Sequence, residues 1–141
     1  MVKQNLDSHD ISVLVVDDDP TVRTLIKRNL ESQGARVIEA ATGLDGIISL
    51  INNKIYLVVL DIKLPDFSGW GILGLLRSSE KFHDMPVILV TVEPYDATLI
   101  AKHQPVEYIQ KPFDIRDFVS KVDRIMNSCI SNNNVISELR K

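Results

Sequence analysis

Apolar runs of strand length recur along the chain at Val13–Val16, Arg36–Ala40, Tyr56–Leu60, Val87–Thr91 and Val106–Gln110. The first, third and fourth (VLVV, YLVVL, VILVT) are nearly continuous and rich in β-branched residues, which marks strands buried on both faces of a parallel sheet. Segments with helical spacing separate them. Pro20–Gln33 sets Val22, Leu25, Ile26 and Leu30 on one stripe, with Pro20 suited to a first helical position and Gly34 to the position after the end. Gly43–Asn53 repeats the pattern with Leu44, Ile47, Ile48 and Ile51, and Thr42 can cap it. Trp70–Ser79 carries Leu73 and Leu76. Tyr95–His103 is short and weakly patterned. Phe113–Cys129 carries Phe118, Val122, Ile125 and Cys129. Five strand–helix pairs joined by right-handed crossovers predict an α/β fold, a parallel sheet with helices on both faces. Residues 1–10 read as a polar arm, and 11–129 as one domain. Asn132–Asn134 is a polar break, which leaves Ile130–Lys141 as a frayed tail or the start of a linker.

Composition narrows the class. The chain has 141 residues, 45% hydrophobic and 25% charged, which suits one globular domain. Lys plus Arg is 16 and Asp plus Glu is 19, a net −3, so the overall charge does not favour nucleic acid. Cys129 is the single cysteine, which excludes an intrachain disulfide and a cysteine zinc site. No apolar run approaches the ~18–20 residues of a membrane helix, and the first residues lack a signal peptide's apolar core. The expectation is a cytoplasmic protein.

In an open parallel sheet, ligands bind beyond the carboxyl ends of the strands. Asp17, Asp18, Asp19 and Pro20 follow the first strand and Asp61 follows the third. Thr91 ends the fourth, and Lys111-Pro112 follow the fifth. Asp19 reads as a helix cap. Asp17, Asp18 and Asp61 would crowd together, and carboxylates that close raise one another's pKa unless a cation intervenes. Mg²⁺ is the hard cation that such oxygens hold.

The stretches VLVVDDDP (13–20), LDIKLPDFSGW (60–70), PVILVT (86–91) and YIQKPF (108–113) resemble the receiver domain of bacterial two-component response regulators. The resemblance covers roughly residues 11–128. It implies a flavodoxin-like, doubly wound three-layer sandwich with strand order 2-1-3-4-5. It implies that Asp61 is the phospho-acceptor, taking its phosphoryl group from a histidine kinase or phosphotransfer protein. Asp17, Asp18, Asp61 and the backbone carbonyl of Lys63 would hold Mg²⁺. Thr91 and Lys111 would meet phosphoryl oxygens, Tyr108 would be the aromatic switch, and Lys111–Pro112 would be cis. Lys63 and Glu93 fall at the positions that tune self-dephosphorylation in receivers; their opposite charges could pair, and Val92 would add bulk. Such a domain catalyses only its own phosphorylation and hydrolysis. Its partners would be the phosphodonor and an output domain or downstream protein. Any dimer would be weak and phosphorylation-dependent, because no large permanent apolar patch is evident.

Other readings compete. Gly69, Gly71 and Gly74 fit G-x-G-x-x-G with Glu93 about 20 residues on, yet no strand directly precedes them, as a dinucleotide site requires. Gly69 then serves the turn after Pro65, while Gly71 and Gly74 permit close packing. A magnesium phosphatase with an aspartyl phosphate would place an acid two residues after its nucleophile, where this chain has Lys63. A degenerate receiver that only binds partners is the remaining alternative, although every reactive position is filled. His9, His83 and His103 read as solvated. Arg23, Lys27 and Arg28 read as a solvated face that could flank a docking kinase. Val92, Gln104-Pro105 and the short stretch from Thr91 to Lys111 depart from the usual pattern.

Overall fold

The computed structural model describes residues 11–139, and side chains for residues 11–128. Strands and helices alternate as β1 (Ser12–Val16), α1 (Pro20–Ser32), β2 (Arg36–Ala40), α2 (Gly43–Asn52), β3 (Leu57–Leu60), α3 (Gly69–Ser78), β4 (Val87–Thr91), α4 (Ala97–His103), β5 (Glu107–Gln110) and α5 (Ile115–Leu139). All pairings are parallel and the strand order is β2-β1-β3-β4-β5. Successive strand side chains point to opposite faces, so each strand feeds two cores. Val13, Val15, Val59 and Val90 join Ile26, Leu30, Phe118 and Val122 on the side of α1 and α5. Leu14, Val16, Leu60 and Leu89 join Leu50, Leu73 and Leu76 on the side of α2 and α3.

Local chemistry sets the helix ends. The Asp19 carboxylate accepts from Thr21 N at 2.9 Å, Pro20 opens α1, and Gly34 follows the C-cap with φ 92, a conformation that favours glycine. Thr42 Oγ1 caps α2 by accepting from Asp45 N.

Three expectations change. First, α2 does not bury its apolar stripe. Its buried residues are Gly43, Gly46 and Leu50, while Leu44 is 52%, Ile48 46% and Ile51 60% exposed. A Cβ on Gly46 would lie 2.9 Å from Val16 Cγ2. The helix therefore approaches the sheet through its glycines; Leu44, Ile48 and Ile51 are turned outward, while Ile47 packs half-buried against the core. Second, α5 runs through Asn132–Asn134 to Leu139. Asparagine lowers helix propensity by less than ~1 kcal/mol per residue, and neither glycine nor proline interrupts the segment. Third, His103 is buried. Its ring lies 5.6 Å from that of Trp70, and burial, with Lys102 and Arg77 nearby, lowers its pKa below 6.5. His83 is exposed as expected, and His9 lies outside the described residues. Among the three motif glycines, a Cβ on Gly74 would lie 3.8 Å from His103 Nε2, an ordinary contact, and a Cβ on Gly71 would meet nothing within 4 Å, so no close contact explains Gly71.

Candidate functional site

Parallel pairing brings the ends of β1 and β3 together. Asp17 N donates to Ala40 O at 3.0 Å and Asp61 N to Val16 O at 2.9 Å, which fixes both residues just beyond the sheet. Carboxylate oxygens of Asp17, Asp18 and Asp61 all lie within 4.8 Å of one another; Asp17 and Asp61 are buried and Asp18 is exposed. Lys111 N donates to Thr91 O at 2.8 Å, which anchors the end of β5. From there the Lys111 ammonium reaches both buried acids, 2.7 Å from Asp17 Oδ2 and 2.9 Å from Asp61 Oδ2. The cation that the crowded carboxylates demand is thus partly supplied by the chain.

The electrostatics follow from burial. Desolvation raises the Asp17 pKa above 3.8, against the bonds from Lys111 and from Asp19 N, and the nearby Asp61 charge raises it further. Desolvation alone would lower the Lys111 pKa, but its bonds to Asp17 and Asp61 outweigh this and hold it above 10.5. Arg23 is no simple solvated cation. Its Nη1 donates to Asp17 O at 2.7 Å and its Nε lies 3.4 Å from Glu39, which also meets Lys27 at 3.4 Å. Arg28 is exposed.

The segment after Asp61 wraps the site. Lys63 N donates to Asp61 Oδ1 at 3.2 Å, and Gly69 N to Ile62 O at 2.7 Å. A Cβ on Gly69 would sit 2.3 Å from Asp61 O and 2.6 Å from Ile62 Cα, so only glycine lets α3 begin there. The glycine triplet lies on this helix and forms no loop between a strand and a helix, as the sequence context indicated.

On the β4 side, Thr91 is fully buried and its Oγ1 accepts from Glu93 N at 3.3 Å. The Tyr108 hydroxyl donates to Glu93 O, and the Tyr95 ring meets Tyr108 edge-on at 5.4 Å. Burial, with the charges of Glu93 and Asp61, raises the Tyr108 pKa above 10. The Glu93 backbone thereby contacts Thr91 through its N–H and Tyr108 through its carbonyl. Among the ion pairs of the described residues, none joins Lys63 to Glu93: Lys63 projects into solvent, and Val92 is 56% exposed. Lys111–Pro112 is cis, as the resemblance implied.

Sequence reasoning missed two supporting residues. Asp66 accepts from Gly43 N at 2.7 Å and Leu44 N at 2.9 Å, so the segment after Asp61 also caps α2. Arg77 donates to the carbonyls of His103, Met85, His83 and Gln104, tying α3 to the end of α4. Both contacts join distant parts of the chain, and no local signal announces them.

Residues 13–123 match the family model described as response regulator receiver domain. A chemotaxis protein CheY homolog from Campylobacter jejuni is 31% identical over 122 residues, 84% of this chain and 94% of that protein. The DNA-binding dual master transcriptional regulator RpaA of Synechocystis is 29% identical over 116 residues, 81% of this chain and 48% of that protein. The chain thus spans about half the length of such curated relatives. A CheY-like receiver domain protein from Methanospirillum hungatei superposes with TM-score 0.79 at 28% identity, covering 86% of this chain and 98% of that one. The response regulator TrrA of Thermotoga maritima, in complex with Mg²⁺–BeF, gives 0.72 at 30% identity, covering 82% and 98%. Among the described residues no helix is long and apolar enough to cross a membrane. The chain belongs to the response regulator receiver domain family, signalling modules of two-component systems rather than enzymes with a separate substrate.

Proposed function

We propose that Asp61 accepts a phosphoryl group from a phosphohistidine on a histidine kinase or phosphotransfer protein. The observation that carries this is the buried Asp61 carboxylate, held by Lys111 within 4.8 Å of two further acids. An Asp61 oxygen attacks phosphorus, the bond to the donor imidazole breaks, and an aspartyl phosphate forms. Little covalent help is needed; positioning and positive charge do most of the work. Three hard carboxylate oxygens within 4.8 Å fit Mg²⁺, which Asp17, Asp18, Asp61 and the Lys63 carbonyl would hold. When bound, Mg²⁺ supplies positive charge to the phosphoryl oxygens. Lys111 shifts from Asp17 toward a phosphoryl oxygen. Thr91 gives its hydroxyl hydrogen to another, drawing on the Glu93 N–H, and Tyr108 repacks as the Glu93 backbone moves. Lys63 and Glu93, flanking the water's approach, set the lifetime of the phosphate; unpaired, they act through their bulk and charge together with Val92.

The upstream partner is the phosphodonor, and the downstream partner an output domain or separate protein. A net charge of −3 supports no direct nucleic-acid role for this domain, and family membership supports a cytoplasmic location. The test is incubation with acetyl phosphate or phosphoramidate plus Mg²⁺, read by intact mass. One phosphoryl adduct, lost in Asp61→Asn, is expected. No adduct on the folded wild type would sink the reading in favour of a degenerate receiver, and an adduct of equal yield on Asp61→Asn would move the acceptor to another residue.

A further inference from the structure

Arg23 of α1 reads from the sequence as a solvated cation, yet its side chain is only 18% exposed. Its guanidinium forks between two strands. Nη1 donates to the Asp17 carbonyl oxygen at 2.7 Å, just beyond β1. Nε lies 3.4 Å from Glu39 Oε1 on β2, and Glu39 Oε2 meets Lys27 at 3.4 Å. Glu39 thus steadies one side of the planar guanidinium while the other side holds a carbonyl. An ammonium has no such fork and would serve one of the two partners at a time.

The carbonyl that Arg23 holds belongs to the peptide between Asp17 and Asp18. Other bonds already fix Asp17 itself. Its N–H donates to Ala40 O at 3.0 Å, and its carboxylate accepts from Lys111 at 2.7 Å and from Asp19 N at 2.9 Å. Asp18 is different. It is exposed, although its carboxylate comes within 4.8 Å of those of Asp17 and Asp61. An exposed side chain is not aimed by packing, so its direction follows the backbone that carries it. Arg23 pins that backbone at the peptide oxygen. Freed of this partner, the peptide plane can rotate, and Asp18 turns with it. Groups that orient metal ligands from behind typically account for roughly 10–100-fold in metal affinity.

We propose that Arg23, anchored by Glu39, is a positioning residue for Mg²⁺ binding: it fixes the Asp17–Asp18 peptide so that the Asp18 carboxylate stays turned into the acid cluster. The proposal rests on the reading of that cluster as the Mg²⁺ site that serves Asp61. It specifies a sign as well as a size. Were the charge of Arg23 all that mattered, deleting a cation beside three carboxylates would tighten Mg²⁺ binding. Positioning of Asp18 requires the opposite.

Thermal melts over a Mg²⁺ series, with no phosphodonor present, give the Mg²⁺ Kd from the rise in melting temperature. The second readout is the rate of phosphorylation by phosphoramidate at each Mg²⁺ concentration. Arg23→Ala should raise the Kd at least about tenfold. The Mg²⁺ concentration that gives half the maximal rate should rise by the same factor. A merely structural role would lower the melting temperature and leave both Mg²⁺ midpoints in place. Arg23→Lys keeps the charge without the fork and should also weaken Mg²⁺, by severalfold. An Arg23→Ala protein that binds Mg²⁺ as well as the wild type, or more tightly, overturns the proposal. Should Arg23→Ala fail to fold, an unchanged Kd in Arg23→Lys is equally fatal. A wild type that ignores Mg²⁺ sinks the Mg²⁺ reading and this proposal together, whereas unaltered variants beside a responsive wild type sink this proposal alone.

Discussion

Lys111 Nζ donates to Asp61 Oδ2 at 2.9 Å, joining residues 50 positions apart. The same ammonium lies 2.7 Å from Asp17 Oδ2, so one cation bridges two buried carboxylates. Breaking a buried ion pair from one end leaves uncompensated charge and costs on the order of 3 kcal/mol. Lys111→Ala should accordingly be destabilised by about that much in metal-free buffer. Millimolar Mg²⁺ should raise its melting temperature more than it raises that of the wild type, because added positive charge replaces what the lysine supplied. Thermal melts with and without chelator check both statements. Equal Mg²⁺ responses would show that the acids do not share their cation.

Asp66 gives a pH signature. Desolvation pushes its carboxyl up, but the amides of Leu44, Gly43, Asp66 and Phe67 together pull its pKa below 3.8. A depressed folded pKa means stability that is fully present above 3.8 and is lost as pH falls through the lower, folded value. Asp66→Ala should melt below the wild type at neutral pH, and the gap should narrow in acid below 3.8. Paired melts across that range measure it. A gap that stays constant would assign the loss to packing instead.

Two glycines of α3 should respond in opposite directions. Gly69→Ala drives a Cβ to 2.3 Å from Asp61 O, a backbone atom with little room to move. A loss of ~2 kcal/mol or more is expected, with a displaced Asp61 and reduced phosphorylation. Gly71→Ala meets nothing within 4 Å and should stabilise the helix by up to ~1 kcal/mol. Urea denaturation of the two variants decides the matter. A neutral Gly69→Ala would refute the close approach.

Arg77 is the tie between α3 and α4. Its guanidinium donates to four carbonyls, with distances from 2.8 to 3.2 Å. Bonds from a charged donor contribute ~1.5–3 kcal/mol, so Arg77→Ala should cost roughly that. Arg77→Lys should recover little, since an ammonium cannot reach four carbonyls on two segments at once. Hydrogen exchange should show faster exchange at amides of α4 than in the sheet. Unchanged protection of α4 would mean that the helix is held by Trp70 and His103 alone.

Much of this protein is written locally. Continuous β-branched runs specify strands covered on both faces, and the acids, hydroxyl and lysine that follow them must gather at one edge once the sheet is parallel. The gathering of Asp17, Asp18, Asp61 and Lys111 is therefore legible in the sequence. What the tertiary structure alone decided is which face of each element turns inward and which distant groups meet. The apolar stripe of α2 was visible, but its outward direction was not, because the choice rests on how closely Gly43 and Gly46 let the helix approach Val16 and Ile72. The same holds for His103 against Trp70, for Asp66 on the amides of Gly43 and Leu44, and for Arg77 among carbonyls of two segments. Periodicity reports the chemistry of one segment at a time. Burial of a polar group is set by partners that only the folded chain brings within hydrogen-bonding distance.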